Sequence, residues 1–185
     1  MDEVNRRLAG ILKADVVGYS AKMGVGDADT LAHVRTLRTD VIEPLAATHG
    51  GCLFKTMGDG FLVEFPSGVQ ALRCAIAIQT VLNAQPEGLR LRIGVHQGEV
   101  VAEGDGDLFG DGVIVAARLE PLARHGGIVI SSRVKEDASG KITLEVDDLG
   151  EPPLKNIASK IRAFRVRLEA PTAVPVQRPP KPLPL

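Results

Sequence analysis

The sequence predicts an α+β fold: a ferredoxin-like βαββαβ core with an extra helix and strands, built on a mixed sheet. Three observations point there. Apolar residues switch between a period of two and a period near 3.6 several times before residue 169. Two short strand-like runs flank Met57-Gly58-Asp59-Gly60, an Asp-Gly turn of the kind that closes a hairpin. Composition then breaks after about Glu169, since six of the twelve prolines lie in the last fifteen residues and no glycine follows Gly150. Residues 1–169 are therefore expected to form one domain and residues 170–185 a Pro-rich disordered tail. Within the tail, Arg178 and Lys181 leave a recognition motif open beside a plain linker.

The elements follow in order. Leu8 to Tyr19 is apolar with β-branched residues and reads as the first strand. A helix comes next, because Leu31, Val34, Val41 and Leu45 share a face, with Asp27 or Asp29 as cap and Gly50-Gly51 as stop. Pro44 should kink its last turn or end it early. Cys52–Thr56 and Phe61–Phe65 are the strands around the Asp-Gly turn. Ser67 with Gln70 resembles a capping box, and Val69, Leu72 and Ile76 recur at helical spacing behind it. Arg90–Glu103 resumes strand character, Val113–Arg124 is helical, and Gly127–Ser131, Ile142–Val146 and Ile161–Leu168 are strands.

Composition narrows the function. The 22 basic residues are balanced by 23 acidic ones, and the aromatics are five Phe and one Tyr with no Trp. That is neither the basic footprint nor the stacking platform of a general nucleic-acid binder. No apolar run approaches the roughly 18 residues of a membrane span, and Met1-Asp2-Glu3 is no basic leader. The expectation is a soluble cytoplasmic protein that engages neither nucleic-acid polymers nor membrane, with Cys52 and Cys74 as core fillers.

Common catalytic signatures fail. There is no G-x-S-x-G elbow, and Gly140-Lys141 lacks the upstream glycine of a phosphate loop. Gly24 and Gly26 run into Asp29 where a third glycine belongs. Asp105 and Asp107 begin like a calcium loop, but Phe109 stands where an oxygen ligand is needed. His33, His49, His96 and His125 show no metal-ligand spacing and read as surface or core residues.

Two carboxylates remain. Asp15 falls inside an apolar strand, where its charge is costly unless exposed at the strand end or neutralised by a cation. Asp59 sits at the tip of the glycine-flanked hairpin, where backbone can approach a ligand closely, although an ordinary turn residue would look the same. On adjacent strand ends the pair could hold divalent metal, with Mg²⁺ the hard cation such oxygens prefer.

The stretches Ile11–Ser20 (ILKADVVGYS), Phe54–Gly60 (FKTMGDG), Leu91–Gly98 (LRIGVHQG) and Asp107–Arg118 (DLFGDGVIVAAR) together resemble the successive motifs of class III nucleotidyl cyclase catalytic domains, of the bacterial adenylate cyclase type. The resemblance covers roughly residues 7–168, and the four motifs occur in order with 44 residues from Asp15 to Asp59. It implies the nucleotide cyclase fold and conversion of ATP to 3′,5′-cyclic AMP and pyrophosphate with two divalent ions, Mg²⁺ or Mn²⁺. In that family the positions of Asp15 and Asp59, with the carbonyl of Val16, bind the ions. Gly18, Tyr19, Ser20 and Gly58 fall in the same substrate-contacting motifs. Arg92 matches a phosphate-contacting arginine, Arg118 one that stabilises charge on the α-phosphate, and Lys155 a lysine reaching the terminal phosphates. Solvated surface charge is the plain alternative for all three.

Lys55 and Asp107 match the pair that resembles an adenine-edge reader, whereas a guanylyl cyclase typically carries Glu and Cys or a small residue there. A guanine would leave buried polar groups unpaired. The family's site is composite, so the resemblance also implies a head-to-tail homodimer. Asp15, Asp59 and Arg92 of one protomer would face Lys55, Asp107, Arg118 and Lys155 of its partner. One departure stands out: Ile114, four residues before Arg118, replaces an asparagine that orients the ribose in the transition state. Its side chain has no hydrogen-bonding group, and loss of one such donor typically costs on the order of a hundredfold in rate. A slow adenylate cyclase, a guanylate cyclase with atypical base recognition, and a non-catalytic nucleotide-binding or dimerisation module all stay open.

Overall fold

A computed structural model describes residues 4–18 and 27–169. Tyr19, Ser20 and the segment 170–185 lie outside the described residues. Strand β1 (Asn5–Val16) runs between its two antiparallel neighbours β3 (Gly60–Phe65) and β4 (Leu91–Ala102). Strand β2 (Cys52–Met57) pairs with β3 as the expected hairpin. Strand β6 (Ile128–Ser131) adds to β4 in parallel, and β8 (Ala163–Val166) and β7 (Val146–Asp148) complete the order β2-β3-β1-β4-β6-β8-β7. A two-residue strand β5 (Leu108–Phe109) pairs with the end of β4. The sheet is mixed, as the sequence predicts.

Alternation along the strands sorts the two faces. Leu12, Ala14 and Val16 of β1 and Leu91, Ile93 and Val95 of β4 are buried in the main core. Helices α1 (Asp27–Leu37), α2 (Glu43–Thr48) and α3 (Gly68–Asn83) cover it with Val34, Leu37, Ala46, Leu72 and Ile78. Each fully buried Leu, Ile or Val among them contributes about 1.5–3 kcal/mol relative to exposure. The opposite face is covered by α4 (Asp111–Leu119), whose Ala116 packs with Ala9, Ile11, Leu62 and Val100. That helix lies against β4 because Gly94 lacks a side chain: a Cβ there would sit 2.5 Å from the carbonyl oxygen of Ala116 and 2.5 Å from the nitrogen of Glu120.

Several expectations need correction. The first strand ends at Val16 and not at Tyr19. Pro44 neither kinks the last helical turn nor ends the helix. The break comes before it, as a π-helical turn over Arg38–Ile42 in which the Glu43 N–H donates to the Arg38 carbonyl, and α2 continues through Pro44 to Thr48. The wider turn accommodates the missing proline donor ahead of time. The helix expected from Val113 begins at Asp111 and tightens to a 3₁₀ turn over Glu120–Leu122. The strand expected at Ile142–Val146 forms at Val146–Asp148. Ile142 and Leu144 are apolar because they pack on the main core, not because they join a ladder. The sequence pattern does not predict helix α5 (Ser132–Ala138), since seven residues with only Val134 and Ala138 buried leave little periodicity. Ser67 does cap α3, accepting from the Gln70 N–H at 3.3 Å. Cys74 is buried and its thiol is pushed up to about 12, but Cys52 is exposed and fills no core.

Candidate active site

Strand register assembles the first group. Asp15 sits opposite Gly60 on β3 and opposite Arg92 on β4, so three strands bring their ends together on the face that carries α4. The hairpin tip is tied to β1 by the Val16 N–H, which donates to the Asp59 carbonyl at 3.2 Å. A Cβ at position 60 would lie 2.9 Å from Asp15 Oδ1 and 2.8 Å from Lys13 Nζ, so any side chain there would push both charged tips aside. Gly18 and Gly58 occupy the turns beside the two aspartates.

Electrostatics couple the group. Burial, then the Asp15 charge, raises the Asp59 carboxyl above its usual range. Glu120, from the turn after α4, is buried and likewise raised by burial and then by Asp15. Its Oε1 lies 3.0 Å from Arg92 Nε. Both atoms are buried, and the close approach is a charge pair whose hydrogen-bond geometry is imperfect. Lys13 is the nearest cation to Asp15, with Nζ 3.2 Å from Oδ1.

The second group is built from surface contacts. Lys55 on β2 reaches Asp107, just before β5, with Nζ 2.8 Å from Oδ2, and stands 5.9 Å over the Phe109 ring. The hydrogen bond from Lys55 holds the Asp107 carboxyl below its usual range. Arg118, in the last turn of α4, donates from Nε to the main-chain carbonyl of Lys155 at 3.1 Å. Asn156 follows with φ 60°, a left-handed conformation that asparagine tolerates, and this fixes the turn that presents that carbonyl. Ile114, one helical turn before Arg118, is 44% exposed and borders a cleft with Asp111, Ser131 and Asn156. Among the described residues, no hydrogen bond or ion pair joins this second group to the Asp15 group.

Beneath α4, His96 is buried with Nδ1 2.7 Å from Ser131 Oγ, and burial pushes its imidazole down to about 4. It is a neutral core residue, one of the two readings the sequence allows.

Sequence reasoning missed Lys13 and Glu120. A signal for Lys13 existed: it stands two residues before Asp15 in a strand, hence on the same face, and Asp15 called for a neutralising cation. Glu120 had none, because its burial depends on how closely α4 meets Gly94.

Among the described residues no preformed cluster of three His, Cys, Asp or Glu is placed to hold a metal. The chemistry of Asp15 and Asp59 nevertheless fits a divalent ion. Both offer hard oxygens, and burial with mutual repulsion has raised Asp59, a penalty that a shared cation relieves.

Comparison with known proteins adds the decisive observation. Residues 9–167 match the adenylate and guanylate cyclase catalytic domain. The chain belongs to this cyclase family. It is 38% identical over 190 residues to a Rhizobium meliloti (strain 1021) protein named "Putative adenylate cyclase 3", covering 97% of this chain and 32% of the relative. It is 30% identical over 157 residues to a "pH-sensitive adenylate cyclase" of Mycobacterium tuberculosis, covering 83% of this chain and 39% of the relative. This cyclase domain thus spans well under half the length of those two relatives. Among solved structures it resembles an adenylate/guanylate cyclase/hydrolase from Silicibacter pomeroyi, with TM-score 0.83 and 37% identity over 90% of this chain and 100% of that one. An adenylyl cyclase from P. aeruginosa shares the fold at TM-score 0.78 and 19% identity, covering 90% of this chain and 97% of that one. No helix of the described residues is long and apolar enough to cross a membrane.

Proposed function

We propose that this cyclase domain converts ATP to 3′,5′-cyclic AMP and pyrophosphate in a head-to-tail homodimer with composite sites. The observation that carries the reading is the register of β3, β1 and β4, which sets Asp15 against Arg92 and beside the Asp59 hairpin. Asp15, Asp59 and the Val16 carbonyl would hold two divalent ions, Mg²⁺ or Mn²⁺. Bound there, these ions supply acidification of the ribose 3′-hydroxyl and neutralisation of the triphosphate. O3′ gives up its proton to water and bonds to the α-phosphorus, and the bond from that phosphorus to the departing pyrophosphate breaks. Arg92, ion-paired to Glu120 and with its side chain one-third exposed, would contact a phosphate. From the partner protomer, Arg118 would stabilise charge building on the α-phosphate and Lys155 would reach the terminal phosphates.

For the base, Lys55 donates to adenine N1 and Asp107 accepts from N6. Their 2.8 Å contact places a donor and an acceptor side by side, the pattern that the adenine edge complements. Tyr19 and Ser20 extend the substrate motif beyond the described residues. A second reading, a nucleotide-binding or dimerisation module with little turnover, is favoured by Ile114 alone. Guanylate cyclase activity is the third. An assay of ATP, GTP, CTP and UTP for cyclic product with each metal separates them. Cyclic AMP from ATP is the expected result; cyclic GMP alone, or tight binding of ATP with no product, overturns it.

A further inference from the structure

Lys13 is a lysine where an apolar strand residue would suffice, and its side chain is only 9% exposed. A buried ammonium needs partners, and the polar atoms it meets are Asp15 Oδ1 at 3.2 Å and the Ala14 carbonyl at 3.4 Å. Its Nζ sits in the space left by the missing side chain of Gly60, beside the same carboxylate oxygen. The charged groups around it are Asp15, Asp59, Glu120 and Arg92, so three carboxylates are answered by two fixed cations. We propose that the Lys13 ammonium is a tethered cation that competes with divalent metal for the Asp15 carboxylate and so weakens metal binding at this site.

The inference rests on the reading of Asp15 and Asp59 as metal ligands. The ammonium already in contact with that oxygen repels a second cation, and the low exposure of Lys13 keeps water from screening that repulsion. The ammonium is covalently attached, so its local concentration never falls. A divalent ion must displace or share it, which is easiest when nucleotide phosphates arrive with the metal and offer new anions.

The test is the free Mn²⁺ signal in electron paramagnetic resonance. Purified protein is titrated with Mn²⁺ alone and then with a non-cyclisable ATP analogue. Thermal melts confirm that each variant is folded. Lys13→Met, of similar volume without charge, should tighten Mn²⁺ about tenfold or more. Lys13→Arg, which keeps the charge, should not. Parent binding that is lost in Asp59→Asn upholds the metal reading. If Lys13→Met then binds no tighter, or Lys13→Arg gains as much as Lys13→Met, the competition is wrong while the metal reading stands. If neither parent nor Lys13→Met takes up Mn²⁺ with the analogue bound, both fall together.

Discussion

The two groups of site residues are held in different ways. Asp15, Arg92 and Gly60 are fixed by strand register in the middle of the sheet, with α4 and Glu120 pressed against them. Lys55, Asp107, Arg118 and Lys155 sit on a strand edge, a loop and a helix end, and they satisfy one another by side chain or main chain. The first group is a rigid socket with mismatched charge. In the second, Lys55 and Asp107 are paired with each other, while Lys155 meets Arg118 through its main-chain carbonyl. Chemistry that depends on exact placement is expected from the first, and selectivity from the second.

The largest effect should come from the socket. Asp59→Ala should lower cyclic AMP formation about a thousandfold or more at saturating Mg²⁺ or Mn²⁺, with circular dichroism unchanged. Full activity would show that the rigid group is not where chemistry happens. On the surface group, Ile114→Asn should raise kcat by roughly ten- to a hundredfold at similar KM, because it restores a donor beside Arg118. An unchanged kcat would mean that this position does not limit turnover.

The sheet beneath the socket should reveal itself through pH. Unfolded His96 takes up a proton near 6.5, whereas the folded imidazole, pushed down to about 4, stays neutral. The unfolded state therefore binds more protons across that window, and acid destabilises the fold by about 2 kcal/mol at pH 5 through this residue. The raised Asp59 and Glu120 oppose this trend, since each loses stability as pH rises. His96→Gln isolates the histidine: thermal melts between pH 7 and pH 5 should fall less than in the parent. An equal fall in both would place the acid sensitivity elsewhere. The smallest effect is expected from Lys55 and Asp107. Lys55→Glu with Asp107→Cys should weaken ATP use relative to GTP by about tenfold, measured as the ratio of kcat/KM. A ratio that does not move would remove base reading from this pair.

Much of this was legible in the residues. Period-two and helical patterns located β1 to β4 and α3 because those elements bury one whole face, which leaves a repeating signal. The π-helical turn before Pro44, the two-residue β5 and the short α5 left none, since each follows from local accommodation and not from a long amphipathic face. At the site, Asp15 drew notice as a charge in an apolar run, and the same logic extended by two residues reaches Lys13. Glu120 lay out of reach because its burial is a tertiary event, set by the absence of a Cβ at Gly94.

The main-chain anchor of Arg118 carries a further consequence for how this surface can vary. Every residue type has a carbonyl, so the oxygen that steers Arg118 survives any substitution at position 155 that leaves the turn intact. What the arrangement cannot tolerate freely is a change at Asn156, whose φ of 60° is easy for asparagine or glycine and strained for a β-branched residue. Aim and charge are therefore inherited from neighbouring positions. Drift at 155 would alter only what its own ammonium touches, while drift at 156 would turn Arg118 by moving the carbonyl that holds it.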